Sequence, residues 1–196
     1  YISTVKSYLG RFITDDTENE HSILLRKLIV KRLQSDPIII WNNLLSWVFM
    51  QQKEYDKALI QEKAIFKRNG VDLNSIVEIG QIAFDDKVYE TAKNCFQFVL
   101  ENKPAIEMEL NAKLYLLEID MNTSTNYTLI ETQFLQLFEQ YGINQNTIGI
   151  QAIYAEFLAF KLNQPEKGIS TLKEALKLTN NEFQVGHLKT KLADIL

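Results

Sequence analysis

The chain has 196 residues, 46 % of them apolar, with three prolines, seven glycines and a net charge of −4. That length supports a sizeable folded core, and so few loop formers exclude a loop-dominated chain. Acidic and basic residues are interspersed, so no cationic surface able to displace a phosphate counterion atmosphere is expected, and no nucleic acid is predicted as partner.

In chain order, "VKSYLGRF" (5–12) and "HSILLRKLIVKRLQSDP" (21–37) predict a degenerate helix pair over 1–38. Its densest basic run, "RKLIVKR" at 26–32, has apolar residues between the charges and reads as the solvated side of an amphipathic helix. "IIIWNNLLSWVFMQ" (38–51) carries helical spacing despite its β-branched start, because "SDP" before it places a proline in a first helical turn. Further on, "YETAKNCFQFVLENKP" (89–104), "AIYAEFLAFKL" (152–162) and "PEKGISTLKEALKLTN" (165–180) are also helical, and "VGHLKTKLADIL" (185–196) is a lone helix or cap. Turn signals near 36, 70, 103, 123, 144 and 164 interrupt any sustained heptad, which excludes a long coiled coil. No apolar stretch approaches the ~20 residues that span a bilayer, so no membrane insertion is predicted.

A shift of 34 residues superposes two segments without a gap. Leu45-Ser46 falls on Ile79-Gly80, Tyr55 on Tyr89, Ala58 on Ala92 and Gly70 on Pro104. Small residues on both helices of a pair let the backbones approach; Phe96 fills the groove one turn further on, and Pro104 cannot continue the helix. Tyr127, Ile130 and Phe134 lie 38 residues after Tyr89, Ala92 and Phe96, and Pro165, Gly168 and Leu172 lie 38 further on, with Ala175 as another small packing residue. The extra residues fit in "NTSTN" (122–126) and "YGINQNT" (141–147). A four-helix bundle does not account for a 34-residue self-match. The predicted organisation is one domain, 1–196: the degenerate pair 1–38, repeats 39–72 and 73–106, an irregular repeat 107–148, a repeat 149–182 and a capping or truncated helix 183–196.

These marks resemble the tetratricopeptide repeat, W-x2-L-G-x2-Y followed by A-x3-F and P. The unit 73–106 supplies Ile79-Gly80, Ala92-x3-Phe96 and Pro104; Ile76 and Ala83 stand where the pattern prefers Trp and Tyr, and Glu62 replaces an aromatic in the unit before. The resemblance implies an all-α, right-handed superhelical solenoid of about five pairs plus a terminal helix. It also implies a concave face lined by first helices, where a peptide or partner helix docks. By register that face takes Asn43, Trp47 and Met50, then Val77, Gln81 and Phe84, then Tyr115, and finally Ile153, Phe157 and Phe160. Of the matching positions Asn43, Trp47, Val77, Gln81 and Phe157, only Asn43 has the chemistry of the two-carboxylate clamp that grips chaperone tails.

Little else points to chemistry. Cys95 is the only cysteine, in an apolar run, and reads as a buried thiol. His21 and His187 are the only histidines and fall at opposite ends of the array, so no metal site and no Cys/His nucleophile pair is predicted. Asp15-Asp16 and Asp85-Asp86 read as solvated turn residues. No catalytic residue or cofactor is expected. The function expected is a non-catalytic adaptor holding a protein or peptide. Alternatives are a structural arm, its groove filled by its own flanks or a second copy, and a sensor module of a larger protein. Abundant Ile, Lys and Asn associate with an AT-rich bacterial genome. Tyr1 in place of methionine, and a helical pattern still running at "KLADIL", predict a piece of a longer protein, which leaves cytoplasm, periplasm and cell envelope all open.

Overall fold

In the computed structural model, residues 2–14, 20–70 and 72–196 are described, and every regular element among them is helical. The chain forms two compact units, Tyr1–Asn102 and Lys103–Leu196. The first holds α1 (Ile2–Thr14), α2 (Glu20–Ser35), α3 (Ile39–Gln51), α4 (Tyr55–Asn69), α5 (Asn74–Asp85) and α6 (Tyr89–Glu101). The second holds α7 (Ile106–Thr123), α8 (Tyr127–Tyr141), α9 (Ile148–Glu156), α10 (Pro165–Lys177) and α11 (Glu182–Ile195). Within each unit a helix packs chiefly on its neighbours in sequence, which fits a helical repeat.

The 34-residue period is visible in the backbone. At the α3–α4 turn, Lys53 N–H donates to the Met50 carbonyl (3.1 Å) and Glu54 N–H to Phe49 (2.9 Å). At the α5–α6 turn, Lys87 N–H donates to Phe84 (2.9 Å) and Val88 N–H to Ala83 (2.7 Å). Lys53 and Lys87 both take left-handed backbone, φ 58° and 62°. This is one helix-ending motif, used twice, that satisfies the last carbonyls of each first helix.

Second helices are equally regular. Tyr55, Tyr89, Tyr127 and Pro165 are each the first residue of theirs. Ala58, Ala92, Ile130 and Gly168 follow at the fourth position, all buried. At the eighth, Phe96, Phe134 and Leu172 are fully buried, and Glu62 is half-buried. Leu45, Ser46, Ile79, Gly80 and Ala175 are buried as well, while Pro104 is half-buried, outside α6 and beyond Lys103 with φ 48°.

Glycine marks close approaches in both units. A Cβ on Gly80 would stand 2.9 Å from Phe96 Cζ and 3.0 Å from Cys95 Cβ, and one on Gly168 would stand 2.6 Å from the Ala155 carbonyl oxygen. α9 has apolar residues on more than one side because it serves two cores. Ile150 and Ile153 join Leu110, Leu117, Ile130, Phe134 and Phe157; Ile148, Ala152 and Ala155 join Leu172, Ala175 and Leu188.

Several local expectations are corrected. Pro37 is not in the first turn of α3: Ile38 is the extended N-cap, and Pro37 precedes it. "NTSTN" is not all turn, because Asn122 and Thr123 extend α7 and only 124–126 connects to α8. "YGINQNT" builds a 3₁₀ turn, Gln145–Thr147, closed by a reciprocal Asn144–Thr147 capping box. A π turn, Phe157–Lys161, follows α9, and Gln164 N–H accordingly reaches six residues back to Leu158 (2.8 Å). "RKLIVKR" does not present a purely charged side, since Ile23, Leu24, Leu28 and Val30 of α2 are exposed with the lysines. Asp15 and Asp16 lie outside the described residues.

Polar contacts tie successive pairs together. Arg26 Nη1 donates to Glu54 (2.8 Å), and Lys53 pairs with Asp86 (2.8 Å), which also accepts from the Tyr55 hydroxyl (2.5 Å). Within the α3–α4 pair, buried Asn42 donates to Gln61 (2.9 Å) and accepts from Arg68 (3.0 Å).

Candidate functional site

The second unit carries a cleft of about 450 Å³ between the N-terminal turns of α7, the 3₁₀ turn, α9 and α11. Its volume is that of a small-ligand or side-chain site. Apolar walls come from Ile106, Leu110, Leu114 and Ile150. Four amides, Asn111, Gln145, Asn146 and Gln184, supply its polar groups, with Glu107 as the only charged lining residue.

Each wall has a local cause. The capping box that folds 144–147 also fixes α9, because the buried Gln151 amide donates to the Asn144 carbonyl (3.0 Å) and Thr147 Oγ1 (3.1 Å). Gly149 keeps α7 and α9 close: a Cβ there would come within 2.8 Å of Leu114 Cδ1 and push that side chain into the cleft. The Thr179 hydroxyl donates to Gln184 Oε1 (2.5 Å), which leaves the Gln184 NH₂ as a donor. On the far side of α7, Tyr141 donates to Glu109 (2.5 Å) with Lys113 over its ring; burial first, then the Glu109 bond, pushes the Tyr141 phenol up.

Amides carry a donor and an acceptor each and no charge. Set beside apolar walls, they suit the alternating N–H and C=O groups of a peptide together with one apolar side chain. The cleft has no cationic lining group to offset the charge of a phosphate.

The residues predicted for a concave face are dispersed. Ile153 and Phe157 are corrected to core positions: they are 4 % and 0 % exposed, and Phe157 lies against Phe134 (5.5 Å) and Tyr127 (6.1 Å). Phe160 is 58 % exposed on the π turn. Tyr115 is half-buried on α7. In the first unit, Asn43, Trp47, Met50, Val77, Gln81 and Phe84 are all half-buried. Trp47 is covered by α1, since a Cβ on Gly10 would touch its ring at 3.7 Å, and Phe84 packs edge-on against Tyr89 at 5.7 Å.

Asn111, Gln145, Asn146, Gly149 and Gln184 escaped the sequence reading. A strict 34-residue step would have found some of them: Asn111 is 34 after Val77, Gln145 is 34 after Asn111, and Gly149 is 34 after Tyr115. A 38-residue step from Tyr115, the spacing of the second helices, reaches Ile153 in place of Gly149.

Cys95 is buried and its thiol is pushed up to about 12 by that burial. His21 and His187 are exposed, in different units. Among the described residues no helix is long and apolar enough to cross a membrane. The geometry defines an all-α chain of consecutively packed helix pairs. A scan against protein-family models finds no match, and a search of curated proteins finds none either.

Proposed function

We propose that the chain is a tetratricopeptide-like solenoid and works as a non-catalytic adaptor that holds a peptide in the α7/α9/α11 cleft. The observation that carries this reading is the lining itself: four neutral amides and four apolar side chains on a wall held by its own capping network. A backbone stretch of the ligand would pair with Asn111 and Asn146, and an apolar side chain would enter beside Leu114 and Ile150. Because the wall is already folded, binding orders few protein side chains, which limits its entropic cost. Glu107 favours a neutral or basic peptide over an acidic one. In the first unit the reading differs. Trp47 is already covered by α1, which supports a self-filled, structural face there.

The test is peptide display against the whole chain, followed by calorimetry on the selected sequences. We expect one-to-one binders sharing an apolar anchor, weakened at least tenfold by Asn111→Ala with Asn146→Ala and blocked by Gly149→Leu. Selected peptides that ignore all three changes, or an empty selection, would refute the cleft as the binding site.

A further inference from the structure

The first unit bears a second, chemically different groove. It lies between α2 and α3, about 520 Å³ in volume, with buried Ile29 and Leu44 as floor, Leu28 and Trp41 as walls, and Lys31 and Arg32 at the rim. No acidic side chain lines it. Leu28 and Leu24, one helical turn apart on α2, are 53 % and 57 % exposed. Among the described residues the buried Trp41 indole N–H has no hydrogen-bond acceptor. Neither Lys31 nor Arg32 has an ion pair among the described residues, whereas Arg26 of the same helix is taken by Glu54. In a chain of net charge −4, α2 has four cationic residues and one carboxylate, Glu20.

We infer that this groove docks an acidic amphipathic helix of another protein. Two helices with a groove between them seat a third helix by its apolar stripe, as helix-in-groove recognition requires. The stripe would cover Leu24 and Leu28 and drop a bulky side chain beside Trp41. Carboxylates one turn away would meet Lys31 and Arg32. Charge decides between occupants. A second copy docked by this same face would bring the same cations to the same place, and the repulsion would oppose it. A bilayer would reach the exposed leucines but not the recessed floor formed by Ile29 and Leu44.

The experiment is a ¹⁵N–¹H titration of the whole chain, read at the two tryptophan indole peaks and assigned with Trp41→Phe. The probes are a synthetic amphipathic Leu/Glu helix and its Leu/Lys counterpart. The expected result is that the Leu/Glu peptide moves the Trp41 peak, leaves Trp47 in place, and outcompetes the Leu/Lys peptide. Lys31→Glu with Arg32→Glu, both at exposed positions, should weaken Leu/Glu binding at least tenfold and reverse the preference, with helical content unchanged by circular dichroism. A Trp41 peak unmoved at millimolar peptide overturns the inference, and so does an equal response to both peptides. It is also overturned if the peak moves with protein concentration alone, or with phosphatidylglycerol vesicles while the peptide is silent.

Discussion

Gly80 and Phe96 are in such close contact that a single methyl on Gly80 would stand 2.9 Å from the ring's Cζ. Thirty-four residues earlier the same two positions hold buried Ser46 and half-buried Glu62, and the Ser46 hydroxyl works to lower the Glu62 carboxyl. One repeat closes its helix pair with an aromatic ring on a bare backbone; the other uses a hydroxyl and a half-buried acid.

Adding bulk at the glycine contacts forces the helices apart. Gly80→Leu should cost about 1–3 kcal/mol, the usual range for overpacking. Gly168→Ala should also destabilise, although alanine is the better helix former, because its methyl meets the Ala155 carbonyl oxygen at 2.6 Å. Chemical denaturation midpoints check both, and unchanged midpoints would mean the helices can separate freely.

Glu62 gives the protein a pH dependence with a definite sign. Burial, the largest influence, pushes its carboxyl above the ordinary 4.5, against the smaller lowering by Ser46 and Lys6. The folded chain therefore holds this proton more tightly than the unfolded chain, and the stability so gained is full below pH 4.5 and lost as pH rises. Glu62→Gln keeps the size and cannot ionise. The Tm of Glu62→Gln minus that of the wild type should rise between pH 4 and pH 7; a difference flat across that range removes the argument.

Tyr55 runs the same way at alkaline pH. Burial, then its bond to Asp86, pushes the phenol up to about 12. The hydrogen bond's stabilisation is full below the ordinary pKa of 10 and is lost as pH rises through about 12. Tyr55→Phe should lower the Tm at pH 8, and less so when Asp86 is already Ala, since both changes break one link between successive pairs. Full additivity in that double-mutant cycle would show the two residues to be uncoupled.

Cys95 should be inert while the chain is folded. With the thiol at about 12, roughly one molecule in ten thousand carries a thiolate at pH 8, and the sulfur is buried besides. Ellman's reagent should react with it only after urea unfolding. Rapid labelling of the native chain would place Cys95 at the surface.

Asn42 tests a polar contact in the position where the next repeat has Ile76. Asn42→Ile removes a partner of half-buried Gln61 and of exposed Arg68, which keeps the Pro37 carbonyl, and the lost bonds should cost about 0.5–1.5 kcal/mol. A neutral or stabilised variant would show that this pair tolerates the apolar residue of the next one here.

The sequence by itself determined the helix pairs and their small-residue contacts. Tyr55, Tyr89, Tyr127 and Pro165 head their helices, and Ala58, Ala92, Ile130 and Gly168 are buried behind them, because helical period and steric size are local properties written along one chain. Only the tertiary structure decided which face of each first helix remained open. α9 lies between two cores, so Ile153 and Phe157 were enclosed, while the ends of α7, α9 and α11 left a cleft whose amides come together only when those helices pack. The same holds for α2, whose leucines and lysines read as one amphipathic pattern. Whether that pattern faces core or solvent depends on what packs beside it, and in this fold α3 covers only part of it.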